Sequence, residues 1–240
     1  MESEKKSVVI LLCGNEGVGK TSISAVMTKV LLQDKESKVL VIDVDPDTRL
    51  AKILDIKIDK TIADISKEAI VSNLEYEIVD AIIEKDNLSF LALGGLKDTS
   101  YFSEGNSLIR DMISSITEDY DYVIIDGSDG IEQVNNIVTE KITHLVLVSD
   151  SSDKGINDIK TINAYARDFI EYEEVGLILN RVKTKEEAKK IKSSNEIPLL
   201  TYIFDNDKIK DFDIAGRGIF EVPEVDLVHC TRMALSKLNV

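Results

Sequence analysis

Residues 14 to 21 read GNEGVGKT: a glycine, four residues, then Gly19-Lys20-Thr21. This is the spacing of a phosphate-binding P-loop, whose glycines let backbone N–H groups curl around phosphate oxygens. The run before it, SVVILLC at 7–13, is apolar and β-branched, and the run after it carries apolar residues at three- and four-residue spacing. A buried strand, a tight loop and a helix are therefore expected, with the positive helix N-terminus aimed at an anion. Gly14, Asn15, Glu16, Gly17, Val18 and Gly19 would form the loop. Lys20 would reach the β- and γ-phosphates, the Thr21 hydroxyl would bind magnesium, and Ser22 would complete the binding set.

Working outward, further apolar runs fall at 38–44 (KVLVIDV), 88–94 (LSFLALG), 121–127 (DYVIIDG), 144–150 (HLVLVSD), 174–180 (EVGLILN) and 199–205 (LLTYIFD). Most are apolar at nearly every position, the mark of strands covered on both faces. Between them lie segments of helical period at about 20–33, 105–117, 154–169, 184–193 and 224–238. The alternation predicts an α/β fold: a doubly wound, mostly parallel, seven-stranded sheet with helices on both faces. Residues 47–87 mix Asp, Lys and Ile and are expected to make two or three short helices. With three prolines, no internal repeat and no Gly/Ser linker, the chain reads as one nucleotide-binding domain over 1–240.

The charge balance narrows the partners. Against 44 acidic residues stand 29 basic ones, a formal charge of −15. Such a chain repels phosphate backbones and anionic lipid, so neither nucleic acid nor a membrane is expected as a partner. KTKEEAKKIK at 183–192 reads as a solvated helix face, since glutamates break its lysines. No apolar run approaches a membrane span and MESEKK is too acidic to begin a signal peptide, so a cytoplasmic location is expected. Cys13 and Cys230 suggest neither a disulfide framework nor a metal knuckle and are expected to be reduced and buried.

In an open α/β sheet, ligands sit beyond the carboxyl ends of the strands. The second strand ends VIDVDPD, giving Asp43, Asp45 and Asp47. Asp43 and Asp45 share a face if the strand continues, and Asp45 is the candidate magnesium ligand or water-orienting residue. A loop-capping role is the alternative. The fourth ends DYVIIDGSDG, where Asp126 is placed to hold a magnesium water and Gly130 to offer its backbone N–H to the γ-phosphate. Asp129 reads as a second polar contact or a solvated loop residue. The sixth ends LILNRV, where the Asn180 amide, with Arg181 beside it, reads either as a base-reading group or as an Asx-turn stop. Phe204, next to Asp205, and Phe220 in GRGIFEVPE read as base-stacking or core aromatics.

These residues resemble a family, the MinD/ParA-type branch of P-loop ATPases, over nearly the whole chain. GNEGVGKTSISA is similar to its deviant Walker A motif, VIDVDPD to its first switch, DYVIIDGSDGIE to its second and LILNRV to its adenine-reading strand end. Within the branch, IDGSDGIEQV, VLVSDSSDKGINDIKTI and AGRGIFEVPE resemble the CooC-type ATPases that support nickel insertion into carbon monoxide dehydrogenase. The resemblance implies binding of ATP and ADP with magnesium, an ATP-dependent homodimer, and ATP hydrolysis coupled to maturation of a client metalloprotein. Lys20, Asp45 and Asp126 are then the catalytic set, with Thr21, Asp45 and Asp126 around magnesium. The alternatives are a non-hydrolysing nucleotide-binding regulatory module and a MinD/ParA-like positioning ATPase.

Two departures qualify the inheritance. Asn15 stands where the branch places a lysine that crosses the dimer. A cationic finger of this kind is worth roughly 10³ to 10⁵ in rate for GTPases. Slow turnover is therefore expected unless another cation, Arg49 or Lys154, fills the role. The CooC-type Cys-x-Cys pair is also missing: GLKDTSYFSEGNS holds Tyr101, Phe102 and Ser103 instead, and hydroxyls are poor ligands for nickel or zinc. His229-Cys230 is the remaining pair, pointing in different directions if helical. The ending TRMALSKLNV is too short and weakly charged for stable membrane anchoring.

Overall fold

The computed structural model describes residues 6–68, 74–94, 106–127, 142–205 and 226–240. Their strands form one sheet: β1 (Val8–Gly14), β2 (Val39–Asp43), β3 (Ile83–Lys85), β4 (Leu88–Ala92), β5 (Tyr122–Asp126), β6 (His144–Ser149), β7 (Glu174–Val182) and β8 (Leu199–Phe204). Their order is β3-β4-β2-β5-β1-β6-β7-β8. All pairings are parallel except β3 with β4. The sheet thus has eight strands rather than the seven expected. The addition, Ile83-Glu84-Lys85, is three residues with two charges and has no apolar run to announce it. A short charged strand of this kind blunts a sheet edge against pairing with other chains.

The helices are α1 (Lys20–Leu31), α2 (Arg49–Ile53), α3 (Ile62–Glu68), α4 (Leu74–Asp80), α5 (Asn106–Thr117), α6 (Asp153–Phe169), α7 (Lys185–Ser194) and α8 (Asp226–Lys237). The expectation of two or three short helices within 47–87 is met by α2, α3 and α4. Local chemistry sets the starts of the later helices. The Ser152 hydroxyl accepts from the Gly155 amide at 3.0 Å to open α6. At α7, Thr184 Oγ1 accepts from the Glu187 amide at 3.2 Å while Glu187 Oε2 accepts from the Lys183 amide at 3.0 Å, a variation on the capping box.

Alternation along the central strands divides the core into two layers. Val9, Leu11 and Cys13 of β1 join Leu40, Val123, Leu145 and Leu177 under α3, α4, α5, α6 and α7. Ile10 and Leu12 join Val41, Phe90, Ile124 and Val146 under α1, α2 and α8. β1 lies between β5 and β6, and the chain leaves it first toward β2 on one side and later builds β6, β7 and β8 on the other. That reversal opens a crevice at the carboxyl end of β1, where the P-loop begins.

The final segment is tied to the opposite end of the sheet. His144 Nε2 donates to the Leu238 carbonyl at 2.9 Å, which places its second ring nitrogen against Thr143 Oγ1 at 2.7 Å. Leu227, Val228, Ala234, Leu235 and Leu238 are all buried, so the stripe of α8 is spent on the core. Among the described residues, no helix is long and apolar enough to cross a membrane.

Phe90 is fully buried in the layer under α1 and α2. Phe90→Ala is expected to cost about 3–5 kcal/mol of unfolding free energy through lost burial and a residual cavity, read by urea denaturation.

Candidate functional site

The P-loop is built by close approaches that exclude larger residues. At the end of β1, a Cβ on Gly14 would lie 2.2 Å from the Val148 carbonyl oxygen of β6. Gly19 has φ +93°, and a Cβ there would meet the Asn180 side-chain nitrogen at 2.5 Å. Gly19 is also the N-cap of α1, which has neither a side-chain cap nor an acidic residue in its first turn. The first amides of α1 are thus left to whatever occupies the crevice.

Lys20 is buried and turns back over this loop. Its Nζ donates to the carbonyls of Gly14 at 3.0 Å and Asn15 at 2.9 Å. Val18 packs beneath, and its carbonyl accepts from Asn180 Nδ2 at 2.8 Å. Asn180 Oδ1 accepts from the Arg181 amide at 2.9 Å, with Arg181 in the left-handed region at φ +55°. Asn180 therefore ties β7 to the P-loop with both ends of its amide engaged. Asn15 is likewise occupied: its Nδ2 donates to Asp158 Oδ2 on α6.

Magnesium's expected residues meet at the ends of β2 and β5. Asp126 is buried, and its Oδ1 accepts from Ser24 Oγ at 2.7 Å, one turn into α1 from Thr21. Burial pushes its carboxyl up to about 6, opposed by hydrogen bonds from Ser24 and Thr21. Asp43 is its direct register partner across the β2–β5 pairing and is fully buried. Burial first, then the neighbouring Asp126 carboxylate, push Asp43 up to about 7. Asp43 Oδ1 accepts from the Asp45 amide at 3.0 Å, and its Oδ2 has no hydrogen-bond partner among the described residues. β2 ends at Asp43, so Asp45 lies in the loop beyond rather than on a continued strand face. Asp45 Oδ1 caps the Asp47 amide at 2.9 Å, and Arg49 grips Oδ2.

The crevice is a cleft of about 630 Å³ lined by Glu16, Gly17, Gly19, Lys20, Thr21, Ser22, Asp45, Pro46, Arg49, Lys52, Ile53, Gly127 and Arg181. That size is within the roughly 300–1,000 Å³ usual for small-molecule sites. Among the described residues, four cations line it, Lys20, Arg49, Lys52 and Arg181, in a strongly acidic chain. Thr21 and Asp45 line the cleft with oxygen donors of the kind a hard divalent cation such as magnesium takes; among the described residues no three His, Cys, Asp or Glu side chains gather closely enough to hold a metal ion by themselves.

Not every anticipated residue joins the cleft. Phe204 packs edge-on against Tyr202, with centroids 5.4 Å apart, and does not line it. Lys154 is exposed in the first turn of α6. Cys13 is buried and its thiol is pushed up to about 12, chiefly by burial. Cys230 is half-buried rather than buried, donating to the Tyr202 carbonyl at 3.4 Å, while its neighbour His229 is exposed. Gly130, Asp129, Phe220, Tyr101, Phe102 and Ser103 lie outside the described residues. Sequence reasoning missed Ser24, Lys52 and Asp158. Ser24 is four residues after Lys20 on the same helix face, a signal that helical period supplies. Asp158 lies 143 residues from Asn15, and nothing local points to it.

Known proteins similar to this chain share its fold. A family model described as the CobQ/CobB/MinD/ParA nucleotide binding domain matches residues 9–219. An uncharacterized ATP-binding protein of Methanocaldococcus jannaschii is 26% identical over 243 residues, covering 92% of this chain and 94% of its own. A second from the same organism is 26% identical over 237 residues, covering 88% and 93%. Among solved structures, the septum site-determining protein MinD of Pyrococcus horikoshii, complexed with Mg-ADP, superposes with a TM-score of 0.74 at 19% identity. It covers 97% of this chain and 96% of its own. A Cyanothece McdA variant in complex with ATP gives a TM-score of 0.76 at 19% identity, covering 98% of both chains. At these identities the structural likeness speaks for the fold alone, whereas the family model spans most of the sequence: the chain belongs to the CobQ/CobB/MinD/ParA nucleotide-binding domain family.

Proposed function

We propose that this protein binds ATP and ADP with magnesium in the P-loop cleft and hydrolyses ATP slowly, acting as a nucleotide-gated dimeric switch. The observation that carries the reading is the arrangement around Lys20. A buried ammonium rests on two loop carbonyls at the open N-terminus of α1, with Thr21, Ser24 and Asp126 directly beside it. Adenine as the base is supported by the relatives described as ATP-binding proteins.

In this reading Lys20 exchanges its carbonyl partners for phosphate oxygens, and the α1 amides complete the cradle. Thr21, Asp45 and Asp126 would hold magnesium, with Asp43 behind them. Bound magnesium would neutralise phosphate charge and fix the leaving group. Asp45 orients the attacking water. Slow turnover follows from Asn15, which donates a hydrogen bond and carries no charge. The finer assignment, support of a client metalloprotein in the CooC manner, draws on the likeness of residues 146–162, which form β6 and the start of α6.

Three outcomes test the proposal. Lys20→Ala should weaken ADP binding by roughly a hundredfold or more, since charge-assisted hydrogen bonds to phosphate are lost; unchanged affinity by calorimetry would refute the site. Mixing a slight excess of protein with ATP should yield ADP in a single turnover, and ATP that persists unhydrolysed would favour the regulatory module instead. The third concerns pH. Asp43 and Asp126 have folded pKa values of about 7 and about 6, above the ordinary 3.8, so their contribution to stability is complete below about pH 4. It is lost progressively as pH rises from about 4 to about 7. The ligand-free protein should therefore lose melting temperature across that window, and Asp43→Asn should flatten the loss. A cation that favours the ionised pair should correspondingly make Mg-ADP stabilise the protein more at pH 8 than at pH 5.5.

A further inference from the structure

Asp45, the residue assigned to orient water, is not available as it stands. Both of its oxygens are engaged: Oδ1 by the Asp47 amide at 2.9 Å, and Oδ2 by Arg49, with Nε at 3.0 Å and Nη2 at 2.9 Å. Arg49 opens α2, a helix of five residues bracketed by two non-glycine residues in the left-handed region, Thr48 at φ +48° and Asp55 at φ +55°. For a β-branched residue such as Thr48 that conformation is an outlier, and strain of this kind gathers at switch segments. Pro46, Arg49, Lys52 and Ile53, all from this strained segment, line the same cleft as Lys20 and Thr21.

We propose that Arg49 is the residue by which this cleft tells a nucleoside triphosphate from a diphosphate. Arg49 clasps Asp45 while the third phosphate is absent, and exchanges that carboxylate for the third phosphate when a triphosphate binds. The exchange releases Asp45 into the cleft. The inference rests on the nucleotide-binding reading above and adds a regulatory step to it.

The chemistry favours such an exchange. A guanidinium presents a fork of N–H donors that fits a carboxylate or a phosphate, and the terminal phosphate carries the greater charge. The Arg49 side chain is 61% exposed, so leaving Asp45 costs little packing. The Asp45 side chain is 16% exposed and lines the cleft, and its backbone N–H is anchored on the Asp43 carboxylate, so once released the side chain faces the cleft rather than bulk solvent. A diphosphate bound on the P-loop gives Arg49 no such partner and leaves the clasp closed. Water-orienting capacity thus appears only with the substrate that needs it.

Calorimetry with ADP and with a non-hydrolysable ATP analogue, both with magnesium, tests this through the ratio of the two affinities. The ratio is read because loss of a magnesium contact at Asp45 weakens both nucleotides. Arg49→Ala should shift the ratio against the triphosphate analogue by about threefold to fivefold, the scale of an exposed ion pair. Asp45→Asn should shift it toward the analogue by a similar factor, because the guanidinium no longer has to leave a carboxylate. A pair that only braced α2 would move both variants in the same direction or leave the ratio unchanged, and either result overturns the proposal. Wild-type protein that binds neither nucleotide would overturn the underlying reading, and Arg49's role with it.

Discussion

The site depends on one buried ammonium. Lys20 turns back over the P-loop with its charge resting on the carbonyls of Gly14 and Asn15, and these two bonds brace the loop. Everything around it is compatible with a charge in that place. Gly14 has no Cβ because the β6 carbonyl needs the space, Asn180 holds Val18 from the other side, and Asp126 lies within electrostatic reach. A phosphate entering the loop competes with these carbonyl dipoles for the ammonium, and a charged acceptor makes the stronger hydrogen bond.

The second constraint is the pair of carboxylates at the ends of β2 and β5. Parallel register sets Asp43 beside Asp126. Both are desolvated, and two like charges at that separation resist ionising together. The fold accepts this cost at the position where a divalent cation would remove it. The same region carries the strained Thr48 and the Arg49 clasp, so the loop after β2 is held by contacts that a bound phosphate would reassign.

Much of this was legible in the sequence, for identifiable reasons. Strands buried on both faces announce themselves as continuous apolar runs, and the P-loop spacing declares its own geometry. β3 escaped because a three-residue charged edge strand has no such run. The β2 end was misjudged by one residue, which matters: Asp43 and Asp45 do not share a strand face, and Asp43's true neighbour is Asp126. That neighbour follows from strand order, which no local pattern encodes. Asn15 read as a missing cation, and in three dimensions it is also a tether to Asp158, a contact that nothing local announces. Phe204 carried the right chemistry for stacking on a base but packs on Tyr202 instead.

The central claim is that Lys20 changes partners when nucleotide binds. A crystal structure with magnesium and a non-hydrolysable ATP analogue tests this most directly. The account predicts phosphate oxygens within the loop from Glu16 to Ser22, with the Lys20 ammonium moved from the Gly14 and Asn15 carbonyls onto them. Nucleotide bound elsewhere, with Lys20 still on the two carbonyls, would contradict it.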